Sequence, residues 1–262
     1  MLSNDKYQKL IQYLKGMERV AVAFSGGVDS TFLLKTAKEA LGDNVIAVTV
    51  VSPYIPKWEI EESKAITRAM NVKHIFIEVP IIEEIRFNPK DRCYLCKKNI
   101  FTMIKEEAKN RNIVFVLDGT NADDTKDYRP GIKALRELNI KSPLLENDLT
   151  KEEIRCFSKE LLLETWDKPA YACLLSRIPY EQEIKIEELQ RVEKSEGYLM
   201  TIGFNGARVR SHGDLARIEL QKKDIARFFE GEIAEKVSKE LKDFGYKYVT
   251  LDIEGYKMGS LN

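Results

Sequence analysis

Residues 20–30 read VAVAFSGGVDS, an apolar run that breaks at a serine and two glycines before a second apolar pattern, TFLLK, begins at residue 31. Five apolar residues with β-branched members predict a strand buried on both faces. Two glycines allow a tight turn and bring successive N–H groups close to a ligand. The second pattern predicts a helix, whose N-terminus offers free N–H groups and the positive end of its dipole. The stretch therefore predicts an anion site between a strand and a helix.

Side chains in this turn favour a polyphosphate as the anion. Ser25 and Ser30 add hydroxyl donors beside Gly26 and Gly27, and Asp29 places an acid where Mg²⁺ would bridge it to the anion. No lysine follows the second glycine, so this is not the loop of the kinase-like NTPases. It resembles the SGGxDS PP-loop of the ATP pyrophosphatases, which release pyrophosphate from ATP and leave the substrate oxygen adenylylated. An ordinary strand-to-helix turn is the alternative.

Composition and charge restrict the class of protein. At 262 residues the chain can form one large or two small domains. It has 42 basic and 42 acidic side chains, and this balance weighs against a nucleic-acid substrate. The apolar run at 20–24 is too short for a signal segment or a membrane span. We therefore expect a cytoplasmic protein that does not associate with membranes.

Strands and helices are predicted to alternate through the first part of the chain. Helices are expected at 3–16, 31–41, 58–70, 93–110 and 150–163, and strands at 20–24, 45–51, 74–79 and 113–117. Ser3 and Asp91 are predicted helix caps, and Thr150 with Glu153 forms a predicted capping box. The alternation predicts an α/β fold with a doubly wound, mostly parallel Rossmann-like sheet. Ligands bind at the carboxyl ends of such strands, so the glycine turn and residues 119–124 should share one rim.

A smaller α+β domain is predicted to follow, giving domains over 1–179 and 180–262. Its helices are expected at 183–198, 222–229 and 233–244, and its strands at 207–211, 216–220 and 248–252. Arg208 and Arg210 alternate on one strand, so they share a face and could grip a carboxylate or phosphate. A solvated strand face is the alternative. Arg217 and Glu219 have the same spacing and are expected to pair with each other or with the neighbouring strand.

Four cysteines in a chain without secretory features favour metal or redox chemistry over disulfides. Cys93 and Cys96 share one face of the first turn of a predicted helix, where the dipole and nearby cations favour thiolates. Cys173 is the obvious third ligand, whereas Cys156 lies in an apolar-patterned helix and is expected to be buried. Three thiolates fit an iron–sulfur cluster with one open iron better than a closed zinc site, which lacks an evident fourth ligand.

Histidines and acids supply the remaining candidates. His74 begins a predicted strand and is expected to face solvent or a loop, and His212 lies among cations that suit an anion better than a metal. Asp123 and Asp124 follow the fourth strand and are candidate Mg²⁺ ligands, with residues 127–129 completing the same wall. Turn and helix-cap acids are the alternative.

Together these stretches resemble the LarE-type ATP-dependent sacrificial sulfur transferases of nickel-pincer nucleotide cofactor synthesis. The most specific segments are TWDKPAYACLLSRIPY at 165–180 and RVRSHGDLARIE at 208–219, and the resemblance spans nearly the whole chain. It implies a small-molecule nucleotide substrate, a pyridinium dicarboxylate mononucleotide, whose carboxylates are adenylylated with ATP and converted to thiocarboxylates. It also implies a trimer-based homo-oligomer. Glu181 stands where we expect glycine in this family.

The resemblance further implies a sulfur source. In members that have only the cysteine matching Cys173, this residue gives up its own sulfur and becomes dehydroalanine. Members that also have the Cys-x-x-Cys pair look like cluster enzymes, in which three cysteines bind a 4Fe-4S cluster whose free iron takes sulfide from an external sulfur donor. This sequence has the second pattern, with Cys93, Cys96 and Cys173.

Other site residues follow from the same resemblance. The residues implied to hold pyrophosphate are Ser25, Gly26, Gly27, Asp29 and Ser30. Those implied to hold Mg²⁺ are Asp29 and Asp123. Those implied to bind the substrate are Ser176, Arg177, Arg208, Arg210 and Glu196.

Three alternatives stay open. A tRNA thiolase or an amide-forming adenylylase would share the PP-loop, but the first should carry a basic added domain and the second has no use for three thiols. A nucleotide-binding sensor without turnover would release no pyrophosphate when an acceptor is present. The sacrificial route from Cys173, with Cys93 and Cys96 binding nothing, differs only in mechanism.

Overall fold

The computed structural model describes residues 4–125, 130–169 and 171–257, which fall into two compact units. The first unit comprises residues 1–84 and 91–170, and the second comprises 85–90 and 171–262. This division lies earlier in the chain than the boundary expected after residue 179. The sequence also gave no indication that residues 85–90 belong with the second unit. In the described ranges, no helix is both long and apolar enough to cross a membrane.

The first unit is a four-stranded parallel sheet flanked by helices. Its strands are β1 (Val20–Ala23), β2 (Val45–Val51), β3 (Lys73–Glu78) and β4 (Phe115–Leu117). Its helices are α1 (Asp5–Lys15), α2 (Val28–Leu41), α3 (Lys57–Ala69), α4 (Arg92–Asn110), α5 (Pro130–Glu137), α6 (Pro143–Glu146) and α7 (Lys151–Glu160). The strand order β3-β2-β1-β4, with every pair parallel, confirms the predicted α/β fold.

Alternation along β1 explains how this sheet is buried on both faces. Val20 and Val22 pack in one core cluster with side chains of α1, α2 and α7. Ala21 points the other way, into a cluster with side chains of α4 and α5. Helices α5 and α6 were not predicted, and the other elements lie within a few residues of their expected positions.

Helix caps agree with the sequence at one site and differ at two. The Glu153 N–H donates to Thr150 Oγ1 at 3.3 Å and the Thr150 N–H donates to Glu153 Oε2 at 2.9 Å, which confirms the capping box. Asp91 makes no side-chain cap bond, so that prediction is wrong; its φ of −90° and ψ of 12° depart from the extended backbone of an N-cap. Asn4 caps α1, and Ser3 lies outside the described residues.

The second unit contains a three-stranded mixed sheet with helices. Its strands are β5 (Arg208–His212), β6 (Leu215–Glu219) and β7 (Tyr248–Leu251), and its helices are α8 (Ile186–Thr201), α9 (Ile225–Phe228) and α10 (Ile233–Asp243). Strands β5 and β6 are antiparallel, and β6 and β7 are parallel. Val209, Ile218 and Val237 are fully buried in its core. The predicted second α+β sheet is therefore present.

His74 is partly buried on β3, contrary to the expectation that it faces solvent or a loop. Its Nε2 lies 2.7 Å from Thr49 Oγ1, and its Nδ1 lies 2.9 Å from Thr67 Oγ1. The Thr49 hydroxyl also donates to the Phe24 carbonyl oxygen at 2.6 Å. Helix α3, which supplies Thr67, packs on this edge strand and removes the ring from water. Burial lowers the pKa of His74 to about 4.

We expect His74 to weaken the fold in acid. Its pKa is about 4 in the folded protein, compared with 6.5 for an ordinary histidine, so the unfolded chain binds more protons between these values. The free energy of unfolding should therefore fall as the pH drops through this window. A His74→Gln variant should lose that part of the pH dependence, as measured by urea unfolding at pH 7 and pH 5. An equal fall in both proteins would contradict the prediction.

Candidate functional site

The glycine turn lies at the N-terminus of α2. Gly26 has a φ of +70°, a conformation that side chains rarely adopt. Ser25 Oγ lies 3.1 Å from Ser30 Oγ, which lies 3.2 Å from the Gly27 carbonyl oxygen. Gly27 is the N-cap of α2 and has no side chain to occupy the first-turn N–H groups. The turn thus presents N–H groups and hydroxyls at the positive end of a 14-residue helix, as an anion site requires.

The loop after β4 meets this turn, as the sequence predicts. Asn121 Nδ2 donates to Asp29 Oδ1 at 3.2 Å. Gly119 packs so closely that an added Cβ would lie 3.1 Å from the Ser30 nitrogen. Strand β1 lies between β2 and β4, so the strand order changes direction where these two loops meet. Such a switch point is where ligands bind in doubly wound sheets.

Sequence reasoning did not single out Lys151, which lies on this rim. Its Nζ lies 2.5 Å from Asp29 Oδ2, and its backbone N–H donates to Asp123 Oδ2 at 2.8 Å. Asp124 accepts from the Asn121 N–H at 3.1 Å. Both predicted acids therefore take part in helix-cap and turn contacts. The sequence signal that could have found Lys151 was the capping box, because it marks this residue as the first of α7, the end that lies beside the rim. Residues 127–129 lie outside the described residues.

The paired thiols lie on the first turn of α4. Cys93 is exposed, and Cys96 is partly buried with its Sγ 3.5 Å from the Tyr54 hydroxyl. Tyr54 is itself 1% exposed, so its ring is a fixed neighbour of Cys96. The next residue, Lys97, places its Nζ 3.7 Å from Asp118 at the end of β4. This helix therefore links the thiol pair to the same strand end that supplies the rim.

Cys156 is exposed, so the expectation of a buried residue is wrong. The buried face of α7 is formed by Ile154 and Phe157, and Cys156 is about 200° around the helix from Ile154. A hydrogen bond to Glu160 raises the pKa of its thiol. All four cysteines lie in the described ranges, and no disulfide joins any of them. Among the residues that the structure describes, no three His, Cys, Asp or Glu side chains are gathered in a group that could hold a metal ion.

Arg177 connects the segment around Cys173 to α8 in the second unit. It is 2% exposed, and its Nε and Nη2 donate to the two carboxylate oxygens of Glu196 at 2.8 and 2.9 Å. Its Nη1 donates to Ser176 Oγ at 2.7 Å and to the Ala172 carbonyl at 2.8 Å. Cys173 itself is exposed, immediately before the short turn Leu174–Arg177. Three predicted substrate residues, Ser176, Arg177 and Glu196, are thus in direct contact.

Arg208 and Arg210 lie on the same face of β5. This face is buried, so it is not the solvated strand face that was the alternative interpretation. Arg208 and Arg210 are 4% and 5% exposed. Arg210 donates to Glu219 Oε2 from Nε at 3.0 Å and from Nη2 at 2.7 Å, and its Nη1 donates to the Ser176 carbonyl at 2.6 Å. Arg217 also reaches Glu219, at 3.1 Å, so the predicted pair is present.

Arg208 lies between two aromatic rings. Its guanidinium carbon is 5.3 Å from the ring centre of Tyr171 and 5.5 Å from that of Tyr256. Burial, followed by the charge of Arg177, lowers the pKa of Arg208. Arg208 is therefore a buried cation that lies near a second one, Arg177.

Sequence comparisons show which known proteins this chain resembles. The family model described as queuosine biosynthesis protein QueC matches residues 19–122. An uncharacterized protein of Synechocystis is 41% identical over 260 residues, covering 98% of this chain and 97% of that protein. The pyridinium-3,5-bisthiocarboxylic acid mononucleotide synthase of Lactiplantibacillus plantarum is 36% identical over 260 residues, with coverage of 98% and 94%.

The chain belongs to the LarE family. The matched lengths span the PP-loop and the arginine strand alike. As a LarE-family protein with a PP-loop, it is an ATP-dependent sulfurtransferase that uses ATP with Mg²⁺. An uncharacterized protein of Methanocaldococcus jannaschii, 32% identical over 240 residues with coverage of 92% and 91%, extends the similarity to an archaeon.

Replacing Glu196 by glutamine should destabilise this LarE-family protein by about 3 kcal/mol, because it leaves the buried Arg177 guanidinium without its counter-charge. Urea unfolding at neutral pH measures the loss. The matched control is Glu187→Gln, an exposed acid on the same helix, which should change stability by less than about 0.5 kcal/mol. Similar effects of both substitutions would show that the buried pair has no special role.

Proposed function

We propose that this LarE-family enzyme adenylylates the carboxylates of a pyridinium-3,5-dicarboxylate mononucleotide and converts them to thiocarboxylates. The relative from L. plantarum is named for a bisthiocarboxylic acid mononucleotide. A carboxylate resists attack by sulfur until one of its oxygens becomes a good leaving group, and adenylylation supplies that leaving group. The observation that carries the proposal is the rim where the glycine turn, the N-terminus of α2 and Asp29 meet Asn121.

In the first step, a substrate carboxylate oxygen bonds to the α-phosphorus of ATP, and the bond to the β-phosphate bridging oxygen breaks. Pyrophosphate leaves with the electron pair of that bond. Its proposed ligands are Ser25, Gly26, Gly27, Asp29 and Ser30. Asp29 and Asp123 are the proposed Mg²⁺ ligands, so Lys151 must release Asp29 when the metal binds. The freed ammonium would then lie beside the phosphates, where it can offset their charge.

The arginine cluster of the second unit is the proposed substrate site. Among the described residues, this cluster combines the guanidinium groups of Arg177, Arg208 and Arg210 with the carboxylates of Glu196 and Glu219. Guanidinium groups suit the phosphate or a carboxylate of the substrate, because each can donate two parallel hydrogen bonds to such a group. Ser176, bonded to Arg177, adds a hydroxyl to the same site.

We further propose that Cys93, Cys96 and Cys173 hold a 4Fe-4S cluster. The proposal rests on donor chemistry: no disulfide engages these thiols, Cys93 and Cys173 are exposed, and thiolates are the usual ligands of such clusters. When bound, the cluster would supply a sulfide nucleophile. In the transfer step a bond forms between sulfide and the adenylylated carboxyl carbon, and AMP leaves with the electrons of the broken C–O bond. The alternative remains a sulfur taken from Cys173 itself.

We also propose a cytoplasmic, trimer-based homo-oligomer with sulfide or another small sulfur donor. Four cysteines without a disulfide support a reducing compartment, and the assembly follows from the family resemblance. The tRNA thiolase alternative is weakened by the balanced charge of the chain and by the similarity to the synthase of L. plantarum, which covers 94% of that protein.

The proposed reaction predicts pyrophosphate release that depends on the pyridinium dicarboxylate mononucleotide. Asp29→Asn should lower the rate about a hundredfold, because it removes a negatively charged Mg²⁺ ligand beside the transferred phosphate. The matched control is Asp43→Asn, a fully exposed acid just beyond the other end of α2, which should leave the rate unchanged. A coupled pyrophosphate assay measures this. Release driven by tRNA, or no release with any acceptor, would favour the thiolase or the sensor instead.

The cluster predicts about four irons and four acid-labile sulfides per chain after anaerobic reconstitution. Cys93→Ala should lose them, whereas Cys156→Ala, which removes another exposed thiol, should retain them. Iron and sulfide analysis with a visible absorption spectrum measures both. Absence of iron in the unsubstituted protein, together with a mass loss of one sulfur after turnover, would establish the sacrificial route from Cys173.

A further inference from the structure

The segment from Cys173 to Glu181 has little local structure to fix it. One short turn, Leu174–Arg177, lies within it, with backbone bonds from Ser176 N to the Cys173 carbonyl at 3.1 Å and from Ile178 N to the Leu175 carbonyl at 3.2 Å. A single helical turn is marginal without outside contacts. Its geometry therefore depends on residues elsewhere in the second unit.

Asn88, from the separate segment 85–90, supplies such contacts. Its Nδ2 lies 2.8 Å from the Ile178 carbonyl oxygen, 3.0 Å from that of Pro179 and 3.3 Å from that of Leu175. The side chain is fully buried. An amide nitrogen carries two hydrogens, so three carbonyls share two donors. An oxygen at this position would face three carbonyl oxygens at the same distances, which fixes the orientation of the amide.

The backbone of Asn88 makes a further contact with the end of the same segment. Glu181 N donates to the Asn88 carbonyl at 3.2 Å. Asn88 has a φ of +49° and Glu181 a φ of +59°, so both residues occupy the left-handed region. Asparagine tolerates that conformation, but glutamate is strained in it, and glycine is what we expect at this position in the family. The contact with Asn88 helps to hold this strained residue in place.

We propose that Asn88 is a positioning residue for sulfur transfer, whose amide donors fix the turn after Cys173. This inference rests on the proposed role of Cys173. Leu174 and Leu175 are each 1% exposed, so the turn anchors one side of the cysteine in the core while the thiol stays accessible. The hydrogen bonds from Asn88 fix the position of this turn, and the position of the turn sets the direction of the Cys173 thiol.

The test uses Asn88→Gly and Asn88→Asp in the full-length protein. Glycine keeps the left-handed backbone and removes the amide, whereas aspartate keeps the shape but replaces donors with acceptors. We expect faster amide hydrogen exchange in residues 174–181 for both variants, with α8 unchanged. The kcat for thiocarboxylate formation should fall about tenfold or more, with an unchanged KM for ATP, because a small displacement of a reacting group costs rate. The aspartate variant should be at least as impaired as the glycine variant.

Asn71→Gly and Asn71→Asp are the matched controls, because Asn71 is also left-handed, with a φ of +50°, but exposed in the first unit. They should leave both readouts unchanged. Near-normal exchange or kcat in Asn88→Gly would overturn the proposal, as would faster exchange throughout α8, which would indicate a general folding role. A nearly normal Asn88→Asp would show that the side chain only fills space. If the unsubstituted protein forms no thiocarboxylate, the proposed function fails, while the exchange measurement still reports whether Asn88 fixes the turn.

Discussion

The close approach of Gly119 to the start of α2 is the constraint on which the rim of the first unit depends. A Cβ at this position would lie 3.1 Å from the Ser30 nitrogen, so alanine would require the neighbouring backbone to move by a few tenths of an ångström. Because the backbones meet this closely, Asn121 reaches Asp29 and orients its carboxylate across the mouth of the glycine turn. The parallel pairing of β1 with β4 creates the approach, and that pairing depends on small and β-branched side chains buried on both faces of the sheet.

A different constraint organises the second unit, where charge is buried before any substrate arrives. Removing a guanidinium from water costs several kcal/mol unless geometry and hydrogen bonds compensate for it. Arg177 and Arg210 are compensated by two-bond contacts with Glu196 and Glu219. Each also donates to the backbone on one side of Cys173, Arg177 to the Ala172 carbonyl and Arg210 to the Ser176 carbonyl. The same side chains that give the unit its positive charge therefore fix the backbone that carries the thiol. An anion bound beside Arg208 would be held by groups that already have little freedom to move.

The sequence predicted what depends on local pattern and missed what depends on packing between distant elements. The strand, glycine turn and helix at 20–41 follow from periodicity and glycine chemistry, and the capping box at Thr150 follows from spacing alone. The surroundings of His74 could not be predicted, because they depend on which helix covers an edge strand. Cys156 was misjudged because an apolar helix pattern indicates a buried face without placing every residue on it. The contacts of Asn88 join segments about 90 residues apart, and no local pattern signals them.

The environments of the cysteines separate them into two kinds. Cys93 and Cys96 lie at the N-terminal end of a 19-residue helix, where the positive end of the helix dipole lies. Cys156 lies inside a helix and is hydrogen-bonded to Glu160, whose negative charge disfavours a thiolate and raises the pKa of the thiol. Exposure alone does not distinguish these residues, since Cys93 and Cys156 are both exposed. Helix position and hydrogen bonding do distinguish them, because the pair lies at the start of α4 whereas Cys156 lies inside α7 and is bonded to an acid.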